Sequence, residues 1–255
     1  MDFFHALILG IVEGITEFLP ISSTGHLVIA GRLLGLQSGD FLRTFDIAIQ
    51  LGAILAVLTL YGMPLLRSRG LLMRVIVAFI PTGIVGLLFY PLVKRLVADP
   101  MVSVWALGIG GALLIAFERW YDEPADAQED LSTLSYRSAL LIGLAQSVAM
   151  IPGVSRAAAT ICAGLAAGLS RRAIIEFSFL LALPTMAAAT GLEVVSSAST
   201  FTRDQFGALT IGFLVSWFVA VLAIRWLLTF VRSHDFTWFG VYRIIAAVVF
   251  WRLLS

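Results

Sequence analysis

The sequence predicts an all-α polytopic membrane protein, and three observations carry that prediction. Hydrophobic residues make up 60% of the 255-residue chain, charged residues only 13%, and the mean hydropathy is +0.97. Apolar segments long enough to cross or half cross a bilayer recur from end to end. Two of the short ones follow a proline, the pattern of a re-entrant or broken helix. A soluble domain of this length needs far less apolar surface.

The same composition removes several function classes. The net charge of +1 and the lack of any Lys/Arg-rich run give no reason to expect a nucleic-acid partner. The start, Met1-Asp2-Phe3-Phe4-His5, lacks the basic flank of a secretory signal, and Glu13 and Glu17 fall where its apolar stretch would lie, so no cleaved leader is expected. Cys162 is the single cysteine. A disulfide within the chain is therefore excluded, and its small apolar neighbours suggest a core residue.

Against a hydrocarbon thickness of about 30 Å, the apolar segments read as 3–19, 23–36, 45–62, 72–91, 101–119, 136–150, 154–168, 173–195, 206–231 and 237–254. Segments 23–36 and 154–168 are too short to span and rich in Gly, Ser, Thr and Ala. Residues 1–255 are expected to form one integral membrane domain. Arg67, Arg69 and Arg74 flank one turn, and an acidic loop runs from Asp122 to Asp130 beside Arg119 and Arg137. Both read as solvated loops, and the arginines favour a cytoplasmic side for the first.

The order of features also repeats. Aligning Pro20 with Pro152 brings Ser23 onto Ser155 and Gly35-Leu36 close to Gly168-Leu169. Each copy then runs through an Arg (Arg43, Arg172) to an acid inside the next helix (Asp46, Glu176). This predicts a first repeat core at 3–62, re-entrant at about 20–36, and a second at 136–195, re-entrant at about 152–168. In a membrane an inverted-topology repeat is favoured, and substrates of such folds sit between the copies, facing half-helix N-termini.

The chemistry concentrates at the two breaks. Each charge at mid-bilayer depth costs roughly 2.5–3.5 kcal/mol, so the acids and bases there need a reason. Glu13 and Glu17 are one helical turn apart and share a stripe with Gly10 and Gly14, which turns them toward protein rather than lipid. Such a pair suits a divalent cation or a basic partner; hydrogen bonds to neighbouring helices are the plainer explanation. Pro20 to His26 then supplies Ser22, Ser23, Thr24, Gly25 and an imidazole. Its hydroxyls can cap the following half-helix, whose free N–H groups suit an anion, while His26 could simply be a packing histidine.

In the second break, Pro152 to Thr160, Gly153 permits close backbone approach, Ser155 adds a hydroxyl and Arg156 a guanidinium fork that matches phosphate oxygens. A structural salt bridge from Arg156 to Glu13 or Glu17 is the alternative. Asp46, Glu176 and Glu193 are further intramembrane acids; the first two are expected to orient the site or to pair with Arg43 and with Arg171 or Arg172. Together the breaks offer a nucleophile, a base, an imidazole and an anion site, a set suited to phosphoryl transfer.

E-G-I-T-E-F-L-P-I-S-S-T-G-H (13–26) and P-G-V-S-R-A-A-A-T (152–160) resemble the two signature segments of the bacitracin-resistance type undecaprenyl-pyrophosphate phosphatases. The likeness extends over nearly the whole chain, including 45–57 and 176–184. The resemblance implies a multi-pass enzyme of the bacterial inner membrane that hydrolyses undecaprenyl (polyprenyl) diphosphate to the monophosphate, recycles the carrier for cell-wall synthesis and confers bacitracin resistance. It further implies magnesium or calcium, a site open to the periplasm, and roles for Glu13, Glu17, Ser22, Ser23, Thr24, His26, Ser155, Arg156 and Thr160. The chain departs from the family at Ala157, where Ser is usual, so no mechanism here uses that hydroxyl.

On this basis Glu17, Ser23, His26 and Glu13 are the candidate catalytic residues. Arg156, Ser155, Ser22, Thr24, Gly153 and Thr160 are expected to bind the diphosphate, and Glu13 and Glu17 a metal. Ser23, His26 or water could each be the nucleophile. The expected partners are the polyprenyl diphosphate and membrane lipids. Gly10-x-x-x-Gly14 and Gly108-x-Gly110-Gly111 would serve a homodimer or internal packing equally well. The rival function is a transporter or flippase of an anionic lipid without hydrolysis, since broken helices describe architecture and not chemistry.

Overall fold

Proline, glycine and short polar caps set where the helices start and stop. The computed structural model describes residues 1–36, 39–97, 99–196 and 203–254, and among these the secondary structure is helical apart from one isolated bridge between Gln128 and Leu169. In chain order the helices are α1 (Phe3–Thr16), α2 (Ser23–Leu33), α3 (Asp40–Arg67), α4 (Arg69–Leu88), α5 (Tyr90–Val97), α6 (Pro100–Trp120), α7 (Tyr136–Ser147), α8 (Arg156–Ala166), α9 (Arg171–Ser196), α10 (Arg203–Phe230) and α11 (Thr237–Leu254). Six of them, α3, α4, α6, α9, α10 and α11, are long and apolar enough to cross a membrane. The protein is therefore multi-pass.

Side-chain caps explain several starts. Ser68 ends α3 and begins α4, accepting from the Leu71 amide at 3.2 Å, so α4 starts three residues ahead of the apolar run at 72. Asp99 caps α6 ahead of Pro100 at the first turn, and Ser135 caps α7. The first helix stops at Thr16, short of the expected 19. Pro20 has no amide to give the Thr16 carbonyl and disfavours helical backbone at Leu19. The Ile21 amide turns back to the Leu19 carbonyl instead, at 2.7 Å.

Helices α2 and α8 are each eleven residues, about 16 Å long at 1.5 Å per residue, half of what a crossing needs. They end alike. Gly35 and Gly168 both take left-handed backbone, φ +68° and +88°. In each the following leucine amide returns to a glycine carbonyl five residues earlier, Leu36 to Gly31 at 2.9 Å and Leu169 to Gly164 at 3.0 Å. That closure satisfies carbonyls a helix end leaves orphaned.

Packing is close where small residues face backbone. Helix α1 lies on α10, where a Cβ at Gly10 or Gly14 would stand 2.8 Å from the Gly212 or Ser216 carbonyl oxygen. Helix α7 lies on α4, with Gly143 against the Ala78 carbonyl, and α6 on α11, with Gly111 against the Gly240 carbonyl. Both glycine stripes noted in the sequence are thus used inside the molecule. The outward faces are apolar, with Leu87, Leu88, Trp105, Leu113 and Phe218 each at least 60% exposed, a surface suited to lipid and not to water. Helix α5, which hydropathy did not reveal, has no buried residue and sets Lys94 over its own Tyr90 ring.

The loops are less free than their charge suggests. Glu123 pairs with Arg171 at 3.2 Å, and the Gln128 backbone exchanges hydrogen bonds with Gly168 and Ser170. Arg171 also forks onto Glu118 at 2.6 and 2.7 Å, while Arg172 takes Glu176 at 3.0 Å. Arg74 donates to the Leu134 and Gly70 carbonyls and lies over Tyr136. The side chains of Arg43 and Glu193 lie outside the described residues.

Candidate active site

The two breaks, 130 residues apart in sequence, face each other across one cavity of about 220 Å³. Glu17, Ser22, Ser23 and Thr24 line it from the first break, and Val154, Ser155 and Arg156 from the second. Gln50 of α3 and Met186 and Ala189 of α9 complete the wall with Ala149.

Glu17 joins the halves. It caps the C-terminus of α1, which frees its carboxylate to leave the helix line. One oxygen accepts from the Ser23 hydroxyl at 2.5 Å, the other from Arg156 Nη2 at 3.1 Å. Arg156 also donates through Nη1 to the Ser178 carbonyl at 3.0 Å, and its guanidinium lies 5.9 Å from the Phe18 ring centre. Its Nε, buried, has no hydrogen-bond partner among the described residues. The salt bridge weighed from the sequence is present, to Glu17, and it borders the cavity.

Ser22 is the one described non-glycine residue with positive φ, at +71°. Such backbone costs of order 1–3 kcal/mol and concentrates at functional sites. Ser22 precedes α2 without making a side-chain cap, and the Ser23 hydroxyl is directed to Glu17. The α2 N-terminus therefore meets the cavity with no hydroxyl cap on its amides, where an anion fits. At the other break Ser155 does cap, accepting from the Ala158 amide at 3.2 Å.

His26 is buried and lies away from the cavity lining. Its Nδ1 is 2.7 Å from the Ser22 carbonyl oxygen, so Nδ1 carries the proton and Nε2 accepts from the Tyr242 hydroxyl, also at 2.7 Å. Its ring stacks on Tyr242, 5.6 Å between centres. The imidazole thus holds the strained turn in place. Thr160 is fully buried behind Arg156, hydrogen-bonded to Ser178 Oγ at 2.7 Å and to the Arg156 and Ala157 carbonyls. Gly153, at φ +89°, lets the second break press on α6, since a Cβ would stand 2.2 Å from the Ser103 carbonyl oxygen.

Glu13 is fully buried, and both its oxygens lack a hydrogen-bond partner among the described residues. It feels the like charges of Glu17 and Asp46 and the opposite charge of Arg156. A carboxylate so placed demands a proton or a cation. No cluster of three or more His, Cys, Asp or Glu is gathered for a metal among the described residues. Glu13 and Glu17 are the carboxylates that would hold a divalent cation here, and it would supply charge neutralisation.

Gln50, Ser178 and Tyr242 were not anticipated. Gln50 had a signal, a lone amide between Ile49 and Leu51 in an apolar helix. Ser178 contributes a backbone carbonyl, which no sequence pattern announces, and Tyr242 lies 216 residues from its histidine.

Residues 6–249 match the family profile of the bacitracin resistance protein BacA. The chain belongs to the BacA family. It is similar to the proteins named undecaprenyl-diphosphatase in Aquifex aeolicus, 46% identical over 251 residues and 98% of both chains, and in Wolinella succinogenes, 46% identical over 250 residues, 98% of this chain and 97% of that one. The protein of that name in Persephonella marina is also 46% identical, over 98% of each.

Proposed function

We infer that the chain is a membrane-embedded phosphatase that hydrolyses undecaprenyl (polyprenyl) diphosphate to the monophosphate and inorganic phosphate. The observation that carries this reading is the Ser23–Glu17–Arg156 relay across the cavity: a hydroxyl on a carboxylate, beside a guanidinium, at an uncapped helix N-terminus. Full-length similarity to proteins named undecaprenyl-diphosphatase supports the same substrate. The activity serves recycling of the lipid carrier for cell-wall synthesis, and with it bacitracin resistance.

In the reaction, the α2 amides and the Arg156 fork hold the phosphates while the isoprenoid tail stays in the bilayer. Glu17 takes the proton of Ser23 as Oγ attacks the terminal phosphorus. The bond from phosphorus to the bridging oxygen breaks, and polyprenyl monophosphate leaves. Glu17 gives that proton to the departing bridging oxygen, then takes a proton from water as the water oxygen attacks the phosphoserine; the P–Oγ bond breaks, phosphate leaves and Glu17 returns the proton to Ser23. The neutral tautomer of His26 is occupied at both nitrogens, which favours Glu17 as base and leaves His26 to orient the Ser22–Ser23 turn. Glu13 and Glu17 would hold magnesium or calcium, which supplies charge neutralisation on the diphosphate. Removal with EDTA is expected to abolish turnover, with recovery on adding either ion.

The architecture suits this use. The chain is read as one membrane domain of two repeat cores, 3–62 and 136–195, in inverted topology. The like endings of the half-helices α2 and α8 and the reciprocal packing of α1 on α10 and α7 on α4 support the duplication. The half-helices are re-entrant, and the cavity faces the periplasm of the inner membrane. The flippase alternative leaves the Ser23–Glu17 contact without a purpose, because moving an anion needs no activated hydroxyl.

The test is phosphate release from a C55 or C15 diphosphate by purified protein in detergent, with Glu17→Ala as control. Detergent removes vectorial transport and spares hydrolysis. Release that depends on Glu17 is expected; intact protein with no release would contradict the reading.

A further inference from the structure

Arg243 of α11 is among the largest fully buried side chains, at 1% exposure, and among the described residues it makes no ion pair. Its guanidinium is satisfied entirely by backbone carbonyls. Nε donates to Leu107 at 3.2 Å, Nη1 to Pro20 at 3.3 Å, and Nη2 to Ala106 at 3.3 Å and Gly153 at 3.2 Å. A cation buried without a counter-charge is costly, and the identity of its acceptors suggests what that cost secures.

Pro20 and Gly153 are the carbonyls of the two breaks. Pro20 lies three residues before Ser23, and Gly153 three residues before Arg156. One planar group therefore ties together, through two of its nitrogens, the strand of backbone that carries the hydroxyl and the strand that carries the phosphate fork. Leu107 and Ala106 of α6 anchor the same group to the scaffold. The fold also makes room for it: a Cβ at Gly110 would stand 2.1 Å from Nη2 and 2.9 Å from Cζ. The next residue of α6, Gly111, sets the helix spacing against the Gly240 carbonyl, so the Gly110 vacancy serves the guanidinium itself.

We propose that Arg243 is a positioning residue for the diphosphate reaction, fixing the separation and register of the two helix breaks so that Ser23 and Arg156 meet the same phosphate. The role rests on the diphosphatase reading above. Lysine cannot replace it, because a point ammonium reaches fewer carbonyls than a five-donor fork. The effect belongs mainly in kcat, since the lipid tail contributes binding that the register does not touch, while misplacing reacting groups by about 1 Å costs on the order of 10²-fold.

The experiment compares full-length wild type, Arg243→Lys, Arg243→Ala, Gly110→Ala and Gly108→Ala in detergent, on a C15 diphosphate, with turnover normalised to folded protein. A Cβ at Gly108 meets only Ala247 Cβ, at 3.3 Å, which makes it the packing control. Arg243→Lys and Gly110→Ala are expected to lose roughly 10- to 100-fold in kcat with KM changed far less, Gly108→Ala to match wild type, and guanidinium ion to restore part of the turnover of Arg243→Ala. Folded Arg243→Lys and Gly110→Ala with kcat within twofold of wild type would overturn the role. Spin labels at Thr24→Cys and Ala149→Cys in a Cys162→Ser background read the register without chemistry. Arg243→Lys should broaden or shift their distance distribution, and an unchanged distribution overturns the proposal even if no hydrolysis is found. An inactive wild type sinks the diphosphatase reading alone.

Discussion

In the proposed reaction the Ser23–Glu17 contact, 2.5 Å from oxygen to oxygen, makes one residue the nucleophile and the other its base. Glu17→Gln keeps the shape and loses the base, so kcat should fall by roughly 10²–10⁴-fold, and Ser23→Ala by at least as much. Near-normal turnover in Ser23→Ala, measured as phosphate release, rules out the serine route in favour of water. Arg156→Lys keeps the charge but not the fork; the loss of one charge-assisted hydrogen bond, about 1.5–3 kcal/mol, corresponds to roughly 10- to 100-fold in kcat/KM. These residues were legible in the sequence because a polar group in an apolar run has to be explained. Arg243 carries the same signal, but its acceptors, the Pro20 and Gly153 carbonyls, are backbone atoms 223 and 90 residues away, which no sequence pattern announces. Glu13 was legible as a buried acid, but the depth of its isolation was not.

At the scale of elements, proline and glycine carried most of the information. Pro20 and Pro152 marked both breaks, and Gly35 and Gly168 both half-helix ends. What they could not convey is where a helix stops short of its proline, as α1 does at Thr16, since that depends on which carbonyl loses its donor. Helix α5 escaped because its residues 90–97 mix apolar and basic side chains too short to register as a span. Glycine packing yields a direct prediction. A Cβ at Gly143 would stand 1.9 Å from the Ala78 carbonyl oxygen, so Gly143→Ala forces α7 off α4 and should destabilise the protein by about 1–3 kcal/mol or more. Gly31→Ala, with nothing within 4 Å, should leave the thermal midpoint within a degree or two. Equal midpoints for the two variants would contradict this packing account.

For the whole molecule, the site is a product of distant joins. Arg243 links α11 to both breaks, and Arg171 ties α9 to Glu118 of α6 and to Glu123 of the following loop. Glu118 is 1% and Arg171 14% exposed in their side chains, so Glu118→Gln leaves the guanidinium with Glu123 as its one carboxylate and should cost about 1.5–3 kcal/mol. Because that pair lies apart from the cavity, the surviving folded protein should keep its kcat, a split that thermal unfolding and turnover on one preparation will read. A proportionate loss of kcat in folded Glu118→Gln would mean that this latch and the site are coupled. Long-range joins of this kind are the part of the fold that periodicity does not reach. The pairing of the two breaks was foreseen only through their shared order of Pro, hydroxyl and half-helix.

In the proposed function the two breaks act as one catalytic unit through Glu17. A double-mutant cycle on kcat, with Glu17→Gln, Arg156→Lys and both together in detergent, tests it most directly. Groups that act as a unit are strongly non-additive, so the double variant should be scarcely slower than the worse single one. If the two losses multiply, the breaks contribute independently and the account of a single shared site is wrong.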